Sequence, residues 1–299
     1  MDIRQLEYFQ SVAHTKNLTR SAQHLHVSQS TITLALQKLE QEFGVALFDR
    51  SQKQFDLTPE GLVFFDRVSH ILNHLQDTIG EMNEYRRLQK GSVKIGVPPM
   101  MAACLFPGII AGFKARYPQL QLSVYEDASF GIRQALERGE LDIGIVNLMN
   151  PSGLLKTLPL IKQEFLRCLP KGHPLCAHPV IDIKMLSNDP MILFKEGAYN
   201  RKLIIQECLD NGFAPNIIIA TDQIEAIKRL IAHQVGISFL IESLAAGSEH
   251  LITRSLKKPL FLEFGLAWGK EKYLSTAAQA FIEFVERQNS SNTAKNPSR

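Results

Sequence analysis

The sequence predicts an α/β protein in which a winged helix-turn-helix and a long linker helix precede a larger domain of alternating strands and helices. Three observations carry that expectation: a capped helix with short polar side chains on one face over residues 28–43, an apolar seam at heptad spacing over residues 65–82, and short apolar runs alternating with helix-spaced segments from residue 92 onward. A chain of 299 residues with 45% hydrophobic content is long enough for more than one core.

Over residues 28–43 the chain reads SQSTITLALQKLEQEF. Ser28 supplies an oxygen that caps a helix start, and Ile32, Leu36, Leu39 and Phe43 recur at helical spacing and face a core. The other face carries Gln29, Ser30, Thr33, Leu34 and Gln37, short side chains that donate, accept or touch a thymine methyl, with Ser28, Thr31 and Lys38 at its margins. Such a face suits the major groove of DNA. An amphipathic surface helix has the same spacing, so the neighbouring elements decide.

Before it, Asp2 caps a first helix in which Ile3, Leu6, Phe9 and Ala13 point inward, with Gln5 placed to complete a capping box. Asn17 or Thr19 opens a second, short helix with Ala22 and Leu25 inward, and a turn at His26 and Val27 leads into the third. Two helices joined by a tight turn make a helix-turn-helix. After Gly44, VALFDRSQKQFDLT reads as two extended pieces around a polar tip at residues 51–54, a wing on which Arg50 and Lys53 reach the phosphate backbone or a minor groove. Thr58, Pro59 and Glu60 start a linker helix. Along it Phe65, Val68, Leu72, Leu75, Ile79 and Met82 form a heptad seam that a helix from a second chain would cover, which predicts a dimer.

Leu6, Phe9, Thr19, Ala22, Leu25, Ser28, Gln29, Leu39, Glu40, Gly44, Leu47, Phe48, Arg50, Thr58 and Gly61 stand where the LysR-type transcriptional regulators have their N-terminal motif, and the chain resembles that family along its whole length. It departs inside the recognition helix, with Ser30 in place of the usual proline, Leu34 at a site often basic and Ala35 in place of a common glutamine. The resemblance implies a winged helix-turn-helix (1–58), a dimerising linker helix (59–90) and an effector-binding domain like a periplasmic binding protein (91–290). Lobe I of that domain is expected at about 91–162 and 267–290 and lobe II at about 163–266. It also implies paired half-sites on double-stranded DNA, a homodimer usually assembled as a homotetramer, a small-molecule effector and RNA polymerase as a further partner, with no cofactor and no catalysis.

In the larger domain, VKIGV is a nearly all-apolar run of the kind covered on both faces. The alternation continues with a helix over 105–116, a strand over 120–126, a helix over 130–138 and a strand over 141–146, which argues a parallel sheet with right-handed crossovers. Extended segments follow at 165–169, 191–194, 217–220 and 236–240, helices at 200–211 and 222–233, a strand in PLFLEFGLAW and a last helix over 275–287. Residues 291–299 lack apolar periodicity and read as a disordered tail.

In such a sheet a ligand lies at the C-terminal ends of the strands, near helix N-termini. The candidate effector-binding residues are Pro99, Met100 and Met101 in the loop expected after the first strand, Ser129 after the second, Asn147 after the third, and Tyr199, Arg201 and Thr221 in lobe II. The two thioethers favour a carboxylate on an aromatic or aliphatic body. Ser129 and Thr221 also suit helix caps, and Arg201 a solvated first-turn charge.

Other function classes find less support. The net charge of +3 identifies no nucleic-acid partner, and residues 1–60 carry no basic excess, so DNA binding rests on where a few groups lie. MDIRQLEYFQ has no basic and apolar signal pattern, and no run approaches membrane-spanning length, so a cytoplasmic protein is expected. Cys104, Cys168, Cys176 and Cys208 form no C-x-x-C pair. His173, Cys176 and His178 have a spacing that suits a soft metal, but a fourth ligand is missing and no metal site is assigned. Cys168 and Cys176 offer a redox pair of the kind some LysR-type regulators use, with nothing nearby to lower a thiol pKa. The sequence lacks G-x-S-x-G, phosphate-loop, G-x-G-x-x-G and H-E-x-x-H motifs, which disfavours an enzyme.

Overall fold

Each of the first three helices begins at a polar residue that satisfies its free amides. The computed structural model describes residues 1–49, 55–84, 91–149, 152–246, 248 and 250–295, and of residues 77, 80–84 and 290–295 the backbone alone. In α1 (Ile3–Thr15) Asp2 and Gln5 form a reciprocal capping box. In α2 (Leu18–His24) the cap is Asn17, whose side chain accepts from Arg20 N. In α3 (Gln29–Phe43) the cap is Ser28, accepting from Thr31 N, and the helix closes on Gly44 at φ 70°. The wing is the antiparallel pair β1 (Phe48–Asp49) and β2 (Asp56–Leu57). Glu40 Oε1 accepts from Leu47 N at 2.9 Å, and Lys16 Nζ pairs with Asp56 at 2.6 Å, so both wing strands are tied to the helices.

The chain divides into two compact units, the first holding α1 to α3, the wing and α4 (Pro59–Glu84), the second the elements from β3 onward. The first core joins Leu6, Phe9, Val12, Ile32, Leu36, Leu39, Leu47 and Phe48 to Val68 and Leu72 of α4. Two inward assignments need correction. Ile3 and Phe43 are 47% and 44% exposed, each lying at a helix end; Phe43 keeps a tilted ring contact with Phe64 of α4. The heptad seam needs correction too. Val68 and Leu72 are spent on the unit's own core at 0% and 7% exposure, and Phe65 packs beside them. On α4 the apolar side chains left outside are Leu62, Val63, Ile71 and Ile79, with Leu75 half-buried, among the described residues. The Met82 side chain lies outside them.

The second unit is built on β3 (Ser92–Val97), α5 (Pro99–Cys104), α6 (Phe106–Arg116), β4 (Gln121–Glu126), α7 (Ser129–Glu137), β5 (Ile143–Asn147) and the long β6 (Leu155–Pro170). Two short 3-10 turns flank β7 (Val180–Ile181). Then come β8 (Pro190–Leu193), α8 (Tyr199–Asp210), β9 (Asn216–Ala220), α9 (Ile224–Ala232), β10 (Ser238–Ile241), α10 (Glu242–Ala245), β11 (Leu251–Leu256), β12 (Phe261–Gly269) and α11 (Thr276–Lys295).

The sheet order is β4-β3-β5-β12-β6-β11-β7, with β10 also paired to β6. β3, β4 and β5 run parallel, as do β8 and β9 in a pair of their own, but β12 is antiparallel to β5 and β6, and β10 and β11 are antiparallel to β6. The parallel pairing expected of the first three strands is present, and the later strands make the sheet mixed. Chain crossings between lobes bring strands back in the opposite sense, which a local strand-helix-strand pattern does not reveal. β6 pairs with β12 through its first part and with β10 and β11 through its last, so these strands belong to both lobes. Three further differences concern element ends. Pro99–Cys104 is a helix rather than a loop, with proline in its first turn; β7 and β11 are strands without a period-two signal; and α11 runs through Lys295 into the expected tail, since the first helix breaker beyond it in sequence is Pro297. No helix of the described residues is long and apolar enough to cross a membrane.

Two substitutions probe these packings. A Cβ at Gly61 would meet the Leu47 carbonyl oxygen where α4 crosses the wing. Gly61→Ala is expected to lower stability by about 1–3 kcal/mol in thermal unfolding. In lobe II, Arg167 on β6 is 0% exposed and none of its three guanidinium nitrogens has a hydrogen-bond partner among the described residues. Burial lowers its pKa to about 10, opposed by Asp189, so the charge and its desolvation cost are fully present at neutral pH and ease only above pH 10. Arg167→Met is expected to raise stability by about 1–4 kcal/mol, read from the midpoint of denaturant unfolding.

Candidate functional site

Two surfaces collect the candidate residues, one in each unit. On α3, Ser28, Gln29, Ser30, Thr31, Leu34 and Lys38 are exposed, and Thr33 and Gln37 half-buried. The Ser28 hydroxyl lies 2.8 Å from that of Ser30 and 2.7 Å from that of Thr31, a hydroxyl cluster at the helix start. Thr33 donates to Gln29 O at 3.0 Å, which occupies its hydroxyl proton. Leu34, 59% exposed, is the prominent apolar group on this face. Arg50 and Lys53 lie outside the described residues. The face combines amide and hydroxyl hydrogen-bonding groups with an apolar contact, the chemistry of base-edge readout. Lys38 is the one cation of α3, so the face is suited to sequence reading more than to bulk phosphate attraction.

In the second unit a cleft opens where helices start beyond strand ends. It is lined by Pro98, Pro99 and Met100 of lobe I, Ala128 and Ser129 at the start of α7, Phe194, Ala198, Tyr199, Asn200 and Asp222 of lobe II, and Phe264 of β12. The structure thus brings together Pro99, Met100, Ser129 and Tyr199. It leaves four candidates outside this lining. Met101 is 0% exposed within the core. Asn147 is buried with its Oδ1 accepting from Met149 N at 2.9 Å. Arg201 turns back to donate to Phe194 O at 2.9 Å, and Thr221 accepts from Gln223 N at 3.3 Å. Phe194, Asn200, Asp222 and Phe264 escaped the sequence reading. Asn200 carried a usable signal, a polar residue in the first turn of a helix that follows a strand.

The cleft walls are mainly apolar and aromatic, and Asp222 is its one charged lining group. Asp222 accepts from Lys195 N at 3.1 Å. Asn200, 7% exposed, donates through Nδ2 to the Met100 sulfur at 3.1 Å across the cleft. The free volume is about 20 Å³, room for a single water.

The loop with His173, Cys176 and His178 is occupied by other contacts. His173 accepts from Leu175 N at 3.3 Å and its Nε2 lies 3.3 Å from Asp189, while Cys176 donates to Pro170 O. No group of three or more metal-ligating side chains converges among the described residues. All four cysteines are free. Burial pushes the Cys168 thiol up to about 12 and the Cys208 thiol up to about 11, and burial also raises Cys104. These three thiols carry almost no thiolate at neutral pH and are poor nucleophiles toward peroxide. Operator binding by a reduced Cys176→Ser variant, which keeps only these three thiols, is therefore expected to be unchanged by micromolar hydrogen peroxide, as read by electrophoretic mobility shift.

Residues 86–290 match the model of the LysR substrate binding domain, and residues 3–62 that of the bacterial regulatory helix-turn-helix protein of the lysR family. The chain is 32% identical to the uncharacterized HTH-type transcriptional regulator YwbI of Bacillus subtilis, with 96% of each chain covered. It is 30% identical to the transcriptional dual regulator GltC of the same organism, over 95% of this chain and 96% of that one. Among solved structures it is similar to full-length OxyR from Pseudomonas aeruginosa, with a TM-score of 0.67 and 26% identity over 96% of this chain and 94% of that one.

Proposed function

The chain belongs to the LysR family of bacterial transcriptional regulators, and on that premise we propose that α3 reads the major groove of paired half-sites and that the inter-lobe cleft takes a small carboxylate effector. The protein is a DNA-binding transcriptional regulator with an effector-binding domain, not an enzyme. One observation carries the DNA-reading proposal: the exposed face of α3 presents Gln29, Ser30 and Leu34 together, beside hydroxyls already clustered at its start. Ser28 and Thr31 there suit phosphate contacts, Gln29 and Gln37 base edges, and Leu34 a thymine methyl. Arg50 and Lys53, which fall between the two wing strands in sequence, are proposed to add backbone contacts.

Pairing of half-sites needs a dimer. The part of α4 not engaged in its own core, around Ile71, Leu75 and Ile79 and continuing in sequence to Met82, supplies the apolar surface for a second copy. The assembly acts in the cytoplasm as a homodimer or homotetramer and signals to RNA polymerase bound nearby. Effector binding favours one arrangement of the lobes, and thereby one spacing of the paired recognition helices, by binding that state more tightly.

DNase footprinting on DNA upstream of the protein's own gene tests this reading. Protection of two half-sites separated by whole helical turns is expected, weakening as salt rises. Gln29→Ala should cost about 1–3 kcal/mol of operator affinity while leaving non-specific binding unchanged. Protection without a paired pattern, or equal losses on operator and random DNA, would refute the assignment.

A further inference from the structure

The contact between Asn200 and Met100 is chemically mismatched. Asn200 is a strong amide donor, nine-tenths buried, and the acceptor recorded for its Nδ2 is a thioether, among the weakest acceptors in proteins. Its Oδ1 is used elsewhere, accepting from Arg201 N at 2.9 Å. The residue stands in the first turn of α8, whose N-cap is Ala198 and gives no side-chain cap to the helix N–H groups. Met100 stands on α5 after β3 and Asn200 on α8 after β8, both on the lining, so this hydrogen bond spans the cleft.

Resting on the effector reading above, we infer that Met100 is a stand-in acceptor for Asn200, and that Asn200 is the residue that selects the effector by its carboxylate. A carboxylate oxygen placed between the two residues accepts from Nδ2 in a shorter, charge-assisted bond and faces the first turn of α8, to which Ala198 gives no side-chain cap. The sulfur then gives up a weak bond and packs on the effector's body, together with Phe194, Tyr199 and Phe264. Exchange of a weak acceptor for a strong one provides the free-energy difference between the two states that a population shift requires. Asp222, on the same lining, is paired with Lys195 Nζ at 4.0 Å, and no lining residue among the described ones offers a cation to a second anionic group, which narrows the class to monocarboxylates with an apolar body.

The test uses the full-length protein and a matched panel in thermal-shift and calorimetric titrations: benzoate, phenylacetate, hexanoate and octanoate, each beside its neutral amide and its amine. Carboxylates are expected to stabilise the wild type, with amides and amines at least tenfold weaker. Met100→Leu keeps the volume but removes the stand-in acceptor, and should tighten carboxylate binding about three- to tenfold. Asn200→Ala should weaken it at least tenfold, and the isosteric Asn200→Asp, which keeps the packing should the alanine variant fail to fold, should reject carboxylates by like charge. Binding that favours amines, that survives both Asn200 variants or that weakens in Met100→Leu overturns the inference, as does a panel in which no carboxylate binds. Operator footprinting of the same preparations separates the two readings, since any of those results with the footprint intact removes the Asn200 assignment and leaves the regulator standing.

Discussion

Pairing of β6 with β12 is the constraint from which the effector domain takes its form. Over Leu155 to Glu164 the long strand is held by β12, and beyond that point β10 and β11 take over its two edges. A strand whose backbone groups must all be paired, and whose partners change midway, commits each half to a different layer of helices. The ladder shifts register between Phe264 and Gly265, and Phe264 is a lining residue of the cleft. Gly265 permits this: a Cβ there would lie 2.7 Å from Leu158 O. The irregularity in the crossing strands thus stands at the place where the ligand is proposed to bind.

Around that ladder the buried polar groups divide by what they face. Ser238 donates to Ile192 O at 2.6 Å and serves packing. Arg167 has a charge and no bonded partner among the described residues, a cost the lobe bears within its core. Asn200 has a weak partner at the one position where a better one can arrive. Of these three only Asn200 sits on the cleft, where the proposed ligand would relieve the mismatch.

The helical head follows a different economy. Its core draws on α1, α2, α3, the wing and the first half of α4, and with those faces occupied the outer side of α3 is left to polar and short side chains. The sequence 1–60 has no basic excess. DNA recognition in this head is therefore proposed to depend on placement, with hydroxyls and amides held by a capped helix and cations confined to a few positions.

The sequence by itself determined the local events, because these depend on neighbours within one turn or one strand. The caps at Asp2, Asn17 and Ser28, the stop at Gly44, the wing and most strand and helix positions follow from the identity and spacing of adjacent residues. The outer face of α3 was legible for the same reason. Tertiary structure decided what depends on the partner across space. It gave Val68 and Leu72 to the head's own core instead of a second chain, turned β12 antiparallel, made a helix of Pro99–Cys104 and closed the cleft on Asn200, Phe194 and Phe264 while sending Arg201 and Met101 elsewhere. A periodic pattern states which face of an element is apolar; which surface meets that face is a long-range choice that no window of the sequence contains.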